Sequence, residues 1–218
     1  MNLSELRKLV RQGEHSQLEF KRKAHHPDKI AREMVAFTNS GGGVLLIGVG
    51  DDGRIYGSKT PMEDEYVLSS FISKHIFPSL PYSIARISIS SSRKVLLFNI
   101  KESKQKPHYL IEQGGKRMAY IRSKDMSVRA TYEMKQFLRF QHREKGVSIA
   151  FGEVERNLLV LLEDLPHITL NETRRLLKLS RKKASSLLIL LLRAGLLKIK
   201  PSKDGDYFSL SKEAFEER

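Results

Sequence analysis

Four side chains near the start of the chain have the types and spacing to do chemistry on a phosphodiester. In the segment S-Q-L-E-F-K-R-K (16–23), Leu18 and Phe20 alternate with Glu19 and Lys21. That alternation predicts a strand whose apolar side chains enter a core while a carboxylate and an amine share the opposite face. Glu14 precedes this strand, and Asp51 lies just past a second one, V-L-L-I-G-V (44–49). Where the two strands are neighbours, Glu14, Glu19 and Asp51 converge with Lys21. Clustered carboxylate oxygens bind hard divalent ions such as Mg2+ or Mn2+, which keep water able to attack a phosphodiester, and a nearby lysine orients that water or offsets developing charge. Acidic residues at turns beside strands are equally common on solvated surfaces, so spacing alone leaves both readings open.

The elements that must position these groups follow from periodicity. Asn2 or Ser4 caps a first helix carrying Leu6, Leu9 and Val10, with Gly13 past its end. Pro27 and Asp28 open a second helix with Ile30, Ala31, Met34, Val35 and Thr38 on one side. The S-G-G-G run after it leads from a helix into a strand. A phosphate cradle runs the other way, so these residues read as a closing turn. A turn at Asp51–Gly53, a short strand near Ile55 and a helix over 63–76 follow. Strands over 84–90 and 94–101, the hairpin H-Y-L-I-E-Q / G-G-K / R-M-A-Y-I-R and a helix over 131–143 complete a domain expected to span 1–146. Most strand connections are too short for parallel crossovers, so the fold class is α/β of the α+β kind with a mixed, largely antiparallel sheet. The remainder, 147–218, reads as three helices and a β-hairpin, the order of a small winged helix-turn-helix domain.

Charge identifies the partner class. The 218 residues carry a net +14 and no cysteine, which points to a polyanion and excludes disulfides, thiol nucleophiles and thiolate metal sites. Residues 1–150 hold 26 Lys and Arg against 15 Asp and Glu, and ten basic residues lie between Glu172 and Asp204 without an acidic one among them. That second run covers the third helix and wing of the predicted winged helix, including Arg181, Lys182, Lys183, Lys198 and Lys200, with Ser185 and Ser186 also near the helix start. A charge run by itself is a solvated face; on a groove-entering helix it predicts nucleic-acid contact. No apolar run approaches the ~20 residues of a membrane span, so the chain is expected to be cytoplasmic and without a membrane partner.

The motifs E-x4-E-F-K (Glu14 to Lys21), A-F-T-N-S-G-G-G-V-L-L-I-G-V-G-D-D-G-R-I-Y-G (Ala36 to Gly57), K-P-H-Y (Lys106 to Tyr109) and Y-I-R-S (Tyr120 to Ser123) resemble the Schlafen AlbA-type domain of prokaryotic regulators and Schlafen proteins. The resemblance covers about residues 5 to 140. It implies a divalent-metal-dependent endoribonuclease acting on structured RNA such as tRNA, with Glu14, Glu19 and Asp51 as metal-binding catalytic residues and Lys21 assisting; Asp52 is a near alternative to Asp51. The zinc-binding cysteines of animal Schlafens have no counterpart. Animal Schlafens pair two lobes into a basic cleft, so a single lobe implies a homodimer gripping RNA through Lys21, Arg22, Lys23, Lys104, Lys106, Arg122, Lys124 and Arg129. The competing reading is a DNA-binding transcriptional regulator without catalytic activity, in which the winged helix reads an operator.

Overall fold

The computed structural model describes residues 1–142 and 152–211. Packing divides the chain into two units, Met1–Arg129 and a second beginning at Ala130. The expected boundary at 146 lies outside the described residues. The helix before it was expected to close the first domain but belongs to the second unit.

In the first unit, α1 (Leu3–Val10) starts with reciprocal caps. Asn2 Oδ1 accepts from the Glu5 N–H at 3.0 Å, and the Glu5 carboxylate accepts from the Asn2 N–H at 2.7 Å. Then come β1 (Leu18–Lys21), α2 (Pro27–Asn39), β2 (Gly43–Ile47), α3 (Pro61–His75), β3 (Ile76–Phe77), β4 (Tyr82–Ser88) and β5 (Lys94–Ile100). The expected strand near Ile55 is only a bridge to Val49. The main sheet runs β1-β2-β5-β4, parallel between β1 and β2 and antiparallel elsewhere. The parallel pair requires a crossover, and α2 supplies it.

Both faces of this sheet are buried, which is why β2 reads as an unbroken apolar run. On one face Leu18, Phe20 and Leu46 meet Leu6 and Val10 of α1. On the other, Leu45, Ile47, Leu96 and Phe98 meet Ile30, Met34, Phe37 and Leu68 of α2 and α3. The α2–β2 turn is a closing turn as expected, and it is tight. A Cβ at Gly43 would stand 2.4 Å from the Phe37 ring, so no larger residue fits there.

The expected single hairpin after Lys106 is instead divided. β6 (Tyr109–Ile111) and β7 (Arg117–Met118) join β3 in one sheet, while β8 (Tyr120–Ser123) pairs with β9 (Met126–Arg129) in another. Asn39, at the end of α2, ties these strands to the helix. Its amide donates to the carbonyls of His108 and Tyr120 at 2.9 Å each and accepts from the His108 N–H at 2.7 Å.

The second unit contains α4 (Tyr132–Phe140), α5 (Glu153–Asp164), β10 (Ile168–Thr169), α6 (Leu170–Leu176), α7 (Arg181–Arg193), β11 (Leu197–Lys200) and β12 (Tyr207–Leu210). β10, β12 and β11 form a three-stranded antiparallel sheet; β10 was not anticipated. The apolar stretch of α7 is consumed by the core, where Leu187, Leu188, Leu191 and Leu192 meet Leu158, Leu162, Ile168 and Phe208. Phe137 and Phe140 of α4 pack on the same cluster. Among the described residues no helix is long and apolar enough to cross a membrane.

Candidate functional site

β1 is an edge strand, and the four expected residues gather around it. Its alternation holds: Leu18 and Phe20 enter the α1-side core, while Lys21 donates to the Glu19 carboxylate on the other face and to the Phe20 carbonyl at 2.9 Å. Glu14 folds back along the strand, and its Oε1 accepts from the Phe20 N–H at 2.8 Å. The Glu14 carboxyl is pushed above the ordinary carboxylate range, first by burial and further by the charges of Glu19 and Asp51, while the Phe20 N–H and Lys21 oppose the rise. The carboxylates therefore lie within electrostatic reach of one another.

They do not form a metal site as arranged. Glu19 is buried, and both of its oxygens are engaged, one by Lys21 and the other by Arg122 at 3.2 Å. Arg122 also donates to Glu33 at 2.6 Å, to Ser127 Oγ at 3.1 Å, and to the carbonyls of His15 at 3.1 Å and Asp125 at 2.8 Å, with its guanidinium 4.8 Å over the Phe37 ring. Among the described residues, no group of three or more Asp, Glu or His side chains is placed to hold a metal ion. Mg2+ or Mn2+ bound here would have to displace Lys21 and Arg122 from the Glu19 oxygens.

Two of the expected nucleic-acid contacts, Arg122 and Lys106, are instead buried inside the first unit. Arg122 has a side chain 3% exposed and acts as the internal counter-ion of Glu19 and Glu33. Lys106 has a side chain 1% exposed, pairs with Glu102 and donates to the Ser40 carbonyl at 3.1 Å. Burial pushes its ammonium below the ordinary lysine range, and Glu102 opposes this. Both residues sit where the chain turns back onto α2, and neither can present its charge to a strand of RNA. Arg22, Lys23, Lys104, Lys124 and Arg129 are exposed; Arg22 lies 4.2 Å over the Tyr56 ring, and Arg129 pairs loosely with Glu112 at 3.6 Å.

Two arginines absent from the expected set stand beside the carboxylates. A cleft of about 460 Å³ lies between α1 and the turn at Asp51–Gly53, lined by Arg7, Arg11, Phe20, Asp51 and Asp52. The turn is closed by the Gly53 N–H donating to the Gly50 carbonyl at 2.9 Å, with Gly53 at φ 72° in the left-handed region. Asp52 is committed to the turn, accepting from the Arg54 N–H at 3.0 Å and the Tyr56 hydroxyl at 3.2 Å. These bonds hold its carboxyl below the ordinary range, the Arg54 N–H contributing most. Asp51 is therefore the freer of the pair. Arg7 and Arg11 are exposed, and among the described residues neither is ion-paired. Their four-residue spacing, on α1 and at its C-cap, was visible in the sequence; that the turn after β2 faces them was not.

In the second unit Arg181, Lys182, Lys183, Lys198 and Lys200 are all exposed. Ser180 caps α7, its hydroxyl accepting from the Lys183 N–H at 3.3 Å, which fixes the helix start that carries the three basic residues. Ser186 is exposed, but Ser185 is buried and donates to the Glu133 carboxylate of α4. Ser185 is thus part of the α4–α7 packing and does not reach phosphates or bases.

The Schlafen, AlbA_2 family model matches residues 14–131, more than half of the chain. No curated protein matches it. Among solved structures, the N-terminal domain of a RecG-related protein from Nitrosomonas europaea matches at 20% identity and a TM-score of 0.41, covering 52% of this chain and 83% of that one. The DIP2311 protein from Corynebacterium diphtheriae matches at 17% identity and a TM-score of 0.45; the match covers 90% of this chain but only 38% of that protein.

Proposed function

The chain belongs to the Schlafen AlbA_2 family, and on that footing we propose that it is a nucleic-acid-binding protein whose first unit grips the phosphate backbone of structured RNA. The observation that carries the reading is the cleft beside β1. Arg7 and Arg11, which make no ion pair among the described residues, line this cleft of about 460 Å³ opposite Asp51 and Asp52, with Arg22 and Lys23 extending the exposed basic surface from the end of β1. Guanidinium groups bind phosphate through paired N–H donors and release condensed counter-ions from the strand. The second unit adds a separate contact: its order α5-β10-α6-α7-β11-β12 supports a winged helix, with Arg181, Lys182 and Lys183 at the start of the groove-entering helix. A homodimer belongs to the same reading and is checked by light scattering, at twice the 25.0 kDa chain mass.

Gel shifts test the binding. Transfer RNA is expected to bind with an affinity that falls steeply with salt, and Arg7→Ala with Arg11→Ala is expected to lower the slope of log K against log[salt] by roughly 1 to 2. Salt-independent binding by wild type, or an unchanged slope in the double variant, removes the cleft from the reading. Preference for duplex DNA over transfer RNA would shift the function to operator binding.

A divalent-metal-dependent endoribonuclease is the finer reading, favoured by the electrostatic contact of Glu14 with Glu19, Asp51 and Lys21. It requires Glu19 to be released from Arg122. Incubation of the chain with transfer RNA and Mn2+ is expected to give cleavage that Glu19→Ala and Asp51→Ala abolish. Bound but uncut RNA, or equal cutting by the variants, eliminates the nuclease and leaves the binding protein.

A further inference from the structure

We infer that a second cavity of the first unit, between α2, α3 and β6, holds an unpaired nucleobase of the bound strand. The cavity is about 640 Å³, ample for a base with its ribose and within the range of small-ligand pockets. Its two walls differ in chemistry. One is apolar and aromatic: Phe71 and His75 lie in parallel at 4.0 Å between centroids, beside Leu110 and Ile111. Their spacing of four residues on α3 stacks the rings on each other, and both are half-buried, so a flat face is held rigid at the cavity wall.

The other wall is polar and underused. Glu112 stands between Arg32 and Arg129 but is 3.8 Å from one and 3.6 Å from the other, beyond hydrogen-bond length. One of its oxygens instead accepts from the Tyr120 hydroxyl. Arg32 is held 5.0 Å over the Tyr120 ring, and Arg129 hydrogen-bonds the Tyr120 side chain. The guanidinium groups are not closed onto Glu112 and each has further N–H donors, while Asp28 and Gln113 add an acceptor and an amide that offers both. Asp28 and Glu112 balance the two arginines in charge. A bare anion gains little from such a wall, whereas a heteroaromatic ring edge carrying donors and acceptors is matched by it. Recognition of unpaired RNA bases works through this combination of an aromatic platform and edge hydrogen bonds.

The inference rests on the nucleic-acid reading above, but its test separates from it. The full chain is titrated with guanosine, adenosine, cytidine and uridine, and with ribose 5-phosphate and inorganic phosphate as controls lacking a base, followed by NMR shifts. At least one nucleoside is expected to bind saturably in the millimolar range or tighter while both controls do not. Phe71→Leu, which keeps an apolar side chain, and Gln113→Ala, on the exposed wall, are each expected to weaken that binding about tenfold. Controls that bind as well as nucleosides, or nucleoside binding unchanged in both variants, overturn the inference. Transfer RNA bound without any nucleoside bound overturns it while leaving the proposed function standing; nucleosides bound without RNA overturn its assignment to a strand.

Discussion

The two units each enclose a pair of carboxylates, all buried but the half-buried Glu33, and neutralise them in opposite ways. In the first, Glu19 and Glu33 surround Arg122, with Lys21 on the outer oxygen of Glu19. In the second, among the described residues, Glu133 and Asp206 are met by hydroxyls: Ser185 donates to Glu133, and Thr131 donates to Asp206. A cation compensates a buried negative charge and leaves it fixed across a wide pH range. A hydroxyl compensates part of the desolvation and leaves the group free to bind a proton instead. Asp206 accordingly is pushed up to about 6, by burial first and by the charge of Glu133, against the hydrogen bond from Thr131. Glu33 is also raised by burial, but Ser127 and Arg122 restrain it.

The largest effect should come from removing the cation. Arg122→Ala strands the buried Glu19 and the half-buried Glu33 and is expected to destabilise the first unit by ~3–5 kcal/mol, read as a large fall in the thermal midpoint at pH 7. A variant that keeps its stability but loses RNA affinity would place Arg122 back among the phosphate contacts and erase the contrast.

A smaller effect belongs to the acid that a hydroxyl meets. Folded Asp206 keeps its proton up to about pH 6, whereas the unfolded chain releases it near the ordinary 3.8. Between these values the native state holds more protons, so stability falls as pH rises, by at most ~3 kcal/mol. Thermal unfolding of the second unit is therefore expected at a higher temperature at pH 4.5 than at pH 7. Asp206→Asn should flatten that difference, and a flat wild-type profile would show that Asp206 is neutralised by something other than its proton.

The smallest stability effects separate neighbours on α7. Ser185→Ala removes the Glu133 partner and is expected to cost ~1–3 kcal/mol. Lys182→Ala, on the exposed side, should change stability by less than ~0.5 kcal/mol while weakening nucleic-acid binding in a salt-dependent way. Equal stability losses at both positions would mean that α7 has no free basic face.

Periodicity carries most of the fold. The alternation through Leu18, Glu19, Phe20 and Lys21 reports which side chains share a face, and the structure keeps that assignment. What alternation cannot report is what covers the polar face, and here Arg122 does so from a strand about a hundred residues later. One signal existed: Tyr120 and Arg122 are two apart in β8 and both are buried, so the arginine follows an aromatic core residue inward. Counting basic residues weights Arg122, Lys106 and Arg22 equally, although only the last is exposed. The α4 helix was misassigned for a related reason. Its apolar side, with Met134, Phe137 and Leu138, can dock on either neighbouring core, and local pattern carries no information about the choice. The cleft flanked by Arg7 and Arg11 depends on a turn more than 40 residues away, a proximity created by the parallel pairing of β1 with β2.

Glu14 has a further consequence, for how the protein avoids its own copies. β1 ends the main sheet, and an edge strand offers free N–H groups on which a foreign strand can grow. The Glu14 carboxylate occupies the Phe20 N–H on that open side and places a negative charge where an incoming backbone carbonyl would have to sit. Continuous sheet formation across two molecules is thereby blocked at β1, and a side chain expected to serve chemistry also guards the protein against aggregation.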